Sequence, residues 1–114
     1  MAQRIETQDA IIADDATLSS AVGLGDAGIL GLYIPAIVAA VLKFKASLTA
    51  DGTFTYVMDN DNNEISVAAT TGDYWLGSEY LKNLVGCPFV KIESSVAQTG
   101  GPETFVFVLK RFGR

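Results

Sequence analysis

The 114-residue sequence contains no histidine and a single cysteine, Cys87. Histidine is the commonest general base and the commonest metal ligand, so any catalytic Ser, Thr or Cys here would need Lys or a carboxylate to activate it. A lone cysteine excludes an intramolecular disulfide and suits a protein made in a reducing cytoplasm. Set between Gly86 and Pro88, Cys87 reads as a small buried hydrophobe and not as a nucleophile. Basic residues are also few: eight against thirteen acidic ones, for a net charge of -5. Such a chain repels a phosphate backbone unless positive charge is concentrated locally. Lys43 and Lys45 share a strand face, Lys110 and Arg111 close the last strand with Arg114 beyond, and Arg4, Lys82 and Lys91 are scattered. No nucleic acid partner is therefore expected.

Long apolar runs are missing too. The charge-free stretch from Ala27 to Leu42 carries Gly28, Gly31 and Pro35 and falls short of the roughly 18 to 20 apolar residues that a bilayer-spanning helix needs. No membrane partner is expected. Arg4, Glu6 and Asp9 interrupt the region where the apolar core of a secretory signal would lie, so none is expected either. The sequence shows no internal repeat, no heptad run and no low-complexity linker.

What is present is a β pattern. Apolar residues make up 49% against 18% charged, enough for one continuous core, and the chain reads as a single domain over 1–114 with residues 1–9 as an extended N-terminal arm. Leu42, Phe44, Ala46 and Leu48 alternate with Lys43, Lys45 and Ser47, the period of a strand with one buried face. Ala50-Asp51-Gly52 turns the chain, and Phe54, Tyr56 and Met58 are expected to resume the buried face against Thr53, Thr55 and Val57. Further strands are expected at Ala10 to Ala13, Thr17 to Val22, Gly28 to Ile34, Glu64 to Ala69, Asp73 to Leu76, Phe89 to Ser94 and Thr104 to Phe112. Thr70-Thr71-Gly72 reads as a turn, Pro35 to Val41 as one helical turn or an irregular crossing, and Gly77 to Cys87 as a loop or helical turn packing Tyr80, Leu81, Leu84 and Val85 downward. About eight strands with at most short helical turns predict an all-β, antiparallel β-sandwich of jelly-roll type.

Four constellations bear on chemistry, and none assembles into a site. Asp59-x-Asp61-x-Asn63 mimics the opening of a calcium loop, because hard cations want clustered oxygens. The sixth position, however, is Glu64 where glycine is needed, and the twelfth is Thr70 where a bidentate glutamate is needed, so a solvated hairpin loop is expected. Asp14-Asp15, Asp73 and Glu79 fall in turns, where capping and solvation explain them without a paired acid and base. Gly23-x-Gly25-x-x-Gly28 matches a dinucleotide fingerprint as a string but leads into a strand, not a helix. Tyr74 and Trp75, with Tyr80 nearby, read as core or as an aromatic platform for a sugar or another subunit. Catalytic, cofactor-binding and metal residues are accordingly expected to be none, the chain is expected not to be an enzyme, and no cofactor is expected.

The order of motifs resembles a recurrent class of small virion proteins of tailed bacteriophages, of the head decoration or cement type. The pieces are Thr17-Leu18-Ser19-Ser20, Gly23-Leu24-Gly25, Ile34-Pro35, Leu42 to Ala46 with Asp51-Gly52-Thr53-Phe54, and Val90-Lys91-Ile92. The likeness spans roughly residues 8 to 112 and departs where a tryptophan often follows the Pro step, which is Ile37-Val38 here. The resemblance implies a structural protein on the outside of the head, made in the host bacterial cytoplasm, with the phage major capsid protein as partner and with self-association, often as a homotrimer. It carries no catalytic or ligand residue. Tail, neck or baseplate adaptors are rivals within the virion. A module holding host glycan through Tyr74, Trp75 and the Asp59 to Asn63 loop is the rival outside it. Ile11-Ile12, Tyr33 to Val38 and Phe105 to Phe112 are the apolar segments that would face a sister subunit or the shell, if they are not core.

Overall fold

The computed structural model describes residues 3–25, 27–69 and 74–112, with the backbone alone at Gln3, Tyr74, Tyr80 and Phe112. Ten strands make up nearly all of its regular secondary structure: β1 (Gln3–Ile12), β2 (Ala16–Leu18), β3 (Val22–Gly23), β4 (Gly28–Ile34), β5 (Ala40–Ser47), β6 (Thr55–Tyr56), β7 (Ser66–Ala69), β8 (Tyr74–Gly77), β9 (Phe89–Gln98) and β10 (Glu103–Phe112). Two 3-10 turns, Ser78–Tyr80 and Lys82–Leu84, follow β8. The expected turn at Thr70-Thr71-Gly72, the acid Asp73 and the terminal Arg114 lie outside the described residues.

The strands form two antiparallel sheets, one in the order β1-β10-β4-β8 and the other β2-β9-β5-β6. In the second sheet, β3 lies on β9 beside β2, and β7 lies on β5 beside β6. Counting each of these pairs as one line leaves eight lines, in the orders 1-8-3-6 and 2-7-4-5. That is the double Greek key of a jelly roll, the sandwich the alternating pattern predicts.

The core is the inner face of both sheets. Phe105, Phe107 and Leu109 from β10 meet Leu32 and Ile34 from β4 on one side, and Leu42 and Phe44 from β5 with Val90 and Ile92 from β9 on the other. Each of these alternates with an outward residue, as a pleat requires. Three polar side chains are buried with them, Ser19, Ser94 and Gln98, and all three are hydrogen-bonded. The Ile92 amide donates to Ser19 Oγ at 2.8 Å. Gln98 takes the Val38 amide on its Oε1 at 2.8 Å and donates its Nε2 to the Val38 carbonyl at 3.0 Å. This two-point grip on one peptide backbone explains why Pro35 to Ala39 is an irregular crossing and not a helix, since it supplies partners that a helix would have supplied internally.

Two sequence expectations are corrected. Residues 1–9 were expected as an arm, but from Gln3 onward they belong to β1, paired along all ten residues with β10 from Gln3↔Phe112 to Ile12↔Glu103. The segment is polar because it is an edge strand with water on one side, not because it is free. The second half of the hairpin is inverted. Lys45 lies opposite Tyr56, so Tyr56 shares the outward face of Lys45, and Val57 is the buried residue while Met58 is exposed. The turn itself closes through the Gly52 amide on the Thr49 carbonyl at 3.2 Å. A Cβ at Gly52 would run into Ser47 Oγ and Thr49 Oγ1, which is why glycine stands there.

Candidate interaction surfaces

Because inner and outer residues alternate, the register assigns the outer face of each sheet, and the two faces differ in chemistry. On the β2-β9-β5-β6 sheet, Lys43 pairs with Glu64 at 2.6 Å and Lys45 with Glu93 at 3.6 Å. Tyr56 lies between them, its hydroxyl donating to Glu93 at 2.5 Å and its ring under both lysines, at 5.4 and 4.8 Å. Lys91 sits opposite Lys45 and over the Phe54 ring at 4.6 Å. Lys91 is thus not scattered, as sequence position alone had placed it, since the β5-β9 register brings it to the other two lysines. Two glutamates and two aromatic rings spread that charge. The hydrogen bond to Glu93 holds the Tyr56 hydroxyl above its usual pKa, with burial adding to the effect.

The outer face of the β1-β10-β4-β8 sheet is nearly free of charge. Register gives two complete rows across it, Asp9–Val106–Tyr33–Trp75 and Thr7–Val108–Gly31–Gly77. Ile11 and Thr104 flank the first row; Ile5, Lys110 and Gly28 flank the second. A β-bulge at Leu30, marked by the register shift between Val108 and Leu109, turns a further apolar side chain outward. Trp75 is 61% exposed and rests against Tyr33, ring centroids 5.1 Å apart and planes tilted by 54°. Next to it, Gly31 and Gly77 lie opposite each other with no side chains; Gly77 is exposed, whereas Gly31 is buried, with the Trp75 ring 3.9 Å from where a Cβ on it would stand. Asp9 and Lys110 are the charged residues of this face among the described ones, one of each sign.

The sequence-level candidates fall into place around these faces. Ile11 and Tyr33 point outward while Ile12, Ile34 and Ile37 are core; Val38 is exposed; in β10, Val106 and Val108 face out while Phe105, Phe107 and Leu109 are core. The aromatic pair joins Trp75 to Tyr33, 42 positions away by subtraction, which only the β4-β8 register reveals. The Asp59 to Asn63 loop hangs instead from the edge of the other sheet. Its Asp59 Oδ1 accepts the amides of Asp61 and Asn63 at 2.8 and 3.0 Å, and Asn83 Nδ2 donates to the Met58 carbonyl and to Asn60 Oδ1, both at 3.3 Å. This is an Asx-type staple, with the carboxylate turned onto its own loop. Among the described residues, no three His, Cys, Asp or Glu gather as a metal site would require.

The remaining candidates are structural in their contacts. Asp14 Oδ1 accepts the Gly101 amide at 3.0 Å, and Glu79 is exposed in the first 3-10 turn. Gly23 belongs to β3, Gly25 adopts φ +58°, and Gly28 opens β4, so no helix follows the glycine string. Leu81 and Leu84 are buried and Val85 is exposed. Cys87 lines a shallow depression of about 290 Å³ with Ala46, Ser47, Leu48, Gly86 and Pro88. Burial pushes its thiol pKa up, which lowers its nucleophilicity at neutral pH. Leu48, at the rim, is 83% exposed, the one member of the hairpin's apolar row that runs past the core. No helix among the described residues is long and apolar enough to cross a membrane.

No protein-family model and no curated protein sequence matches the chain. Among solved structures, it is similar to the crystal structure of SPBc2 prophage-derived protein YomS, with 14% identity, 97% of this chain and 96% of that one covered, and a TM-score of 0.58. It also aligns with a chain of the cyanophage Pam1 capsid asymmetric unit at 12% identity, covering 98% and 86% of the two chains, with a TM-score of 0.41. The first likeness is one of fold; the second is too low for argument.

Proposed function

We propose that this chain is a non-enzymatic structural protein of a tailed-bacteriophage virion, a head decoration or cement component that attaches to the major capsid protein and to copies of itself. The observation that carries this reading is the charge-poor outer face of the β1-β10-β4-β8 sheet, with Trp75 exposed on it. A contiguous apolar face rimmed by polar residues is an adhesive surface, and a particle shell multiplies a modest contact by symmetry. The motif order of the sequence and the fold shared with a prophage-derived protein support the same reading.

Quantitative mass spectrometry of purified, salt-washed virions tests it. The expected result is recovery of the protein in a copy number comparable to the capsid subunit's; absence from washed particles overturns the reading. Recovery in a handful of copies assigns it to the neck, tail or baseplate instead. One specific feature favours a carbohydrate-binding module, namely Trp75 held at 61% exposure against Tyr33, since a sugar ring stacks on such a platform. Glycan-array binding that disappears in Trp75→Ala would move the assignment there.

A further inference from the structure

Along β1 the β1-β10-β4-β8 sheet ends in an edge whose free backbone groups can be identified residue by residue. The Ile11 amide donates to Ser20 Oγ at 3.1 Å and the Ile11 carbonyl accepts the Ser20 amide at 2.9 Å, so Ile11 turns its backbone away from β10. Backbone direction alternates along an antiparallel strand. Ile5 and Thr7 therefore turn the same way, while Arg4, Glu6 and Gln8 bond to β10. Among the described residues, no backbone partner meets Ile5 or Thr7 on that side, and both residues are exposed. Such a row is a template for a further strand. The charges beside it are unevenly matched. On the inward face Arg4 lies directly opposite Arg111, like charge against like. Glu6 gives one carboxylate oxygen to Arg111 and meets Arg4 with the other at 3.9 Å, so Arg4 is loosely held, with most of its side chain in water.

We propose that β1 pairs antiparallel with β1 of a second copy about a two-fold axis at Ile5, joining the β1-β10-β4-β8 sheets of the two copies edge to edge. Charge selects both the register and the occupant. An axis at Arg4 or at Glu6 sets that residue against itself, like charge on like. An axis at Thr7 brings the partner's Gln3 to Ile11, where Ser20 already sits. With the axis at Ile5, Arg4 faces the partner's Glu6 and Glu6 faces the partner's Arg4, both in the non-hydrogen-bonded positions where side chains come closest. Ile5 meets the partner's Ile5 on the outward face, and the Thr7 backbone bonds to that of the partner's Gln3. Each charge of the strip thus finds its opposite in an identical strip, the self-complementarity that an isologous contact needs. The pairing deepens the self-association in the functional reading above and rests on that part of it. The strip from Gln3 to Thr7 is short against a standard interface of about 800 Å² per partner, so the dimer is concentration-dependent.

Sedimentation velocity and amide hydrogen exchange on the full chain test the pairing. The wild type is expected to rise from its monomer mass of 12.1 kDa toward twice that value as concentration climbs to roughly 1 mM, and the Ile5 and Thr7 amides are expected to gain protection over the same range. Ile5→Pro removes an amide that the monomer does not use, a change that edge strands tolerate; it is expected to stay monomeric with an unchanged melting temperature. Arg4→Glu sets like charges against each other across the axis and is expected to weaken association by about tenfold or more. Because it alters an exposed side chain, it decides the matter if Ile5→Pro lowers the melting temperature. Trp75→Ala, on the outer face, is expected to associate as the wild type does. A wild type monomeric throughout that range, a trimer, an association that a folded Ile5→Pro or Arg4→Glu leaves untouched, or its loss in Trp75→Ala overturns the proposal. Attachment to heads is read separately. A monomer that still coats heads overturns the pairing and not the functional reading, and if Ile5→Pro then abolishes the coating, a strand of the shell occupies the edge instead.

Discussion

Two side chains give the protein its expected pH limits. Glu6, on the inward side of β1, accepts a hydrogen bond from Arg111 Nε, and that guanidinium, helped by Arg4 at 3.9 Å, holds its carboxyl below the usual glutamate value against the opposing effect of burial. A depressed folded-state pKa means that the stabilisation is present above the unfolded value of about 4.3 and is lost as pH falls through the lower folded value. Glu6→Gln is expected to flatten the loss of stability between neutral pH and about pH 3, measured by urea unfolding; slopes parallel to wild type would contradict this. Tyr56 acts at the other end. Its raised pKa means that its contribution is intact below about pH 10 and is lost as pH rises from there toward the folded value. Tyr56→Phe is expected to remove that alkaline limb, and a melting temperature that still falls in parallel with wild type above pH 10 would count against the Glu93 bond.

At the scale of elements, the connections matter more than the strands. Gln98, in β9, holds both backbone groups of Val38, so Gln98→Leu should strand the Val38 amide and carbonyl. The expected cost is about 1 to 3 kcal/mol, read from the midpoint of chemical unfolding, and an unchanged midpoint would show that the crossing does not depend on this grip. The Asp59 loop makes the opposite prediction. Because Asp59 Oδ1 already serves the Asp61 and Asn63 amides, millimolar calcium is expected to leave the melting temperature where it was and to release no heat in isothermal titration. The strands themselves were legible wherever one face was apolar over several residues: β4 occupies Gly28–Ile34 and β10 runs to Phe112 as the pattern predicts. What alternation does not contain is parity after a loop. Phe54, Tyr56 and Met58 continue the apolar period, yet the pairing of Tyr56 with Lys45 turns Val57 inward, since register overrides local hydrophobicity in a two-residue strand. The polar β1 was illegible for a related reason. Its pairing depends on β10 at the other end of the chain, and no local signal marks an edge strand whose outward side chains are Ile5, Thr7, Asp9 and Ile11.

For the molecule as a whole, what the sequence lacks agrees with how its faces are built. A chain without histidine folds into two sheets, one with an outer face laced by lysine, glutamate and tyrosine, the other bearing an exposed tryptophan beside two glycines. The individual residues of the second face were visible as apolar segments, but their assembly was not, because Ile11, Tyr33, Trp75 and Val106 come from four different strands. Electron cryomicroscopy of intact particles tests the account most directly. The predicted result is jelly-roll density repeated over the outside of the head, seated between capsid subunits; heads whose outer surface lacks that density would contradict it.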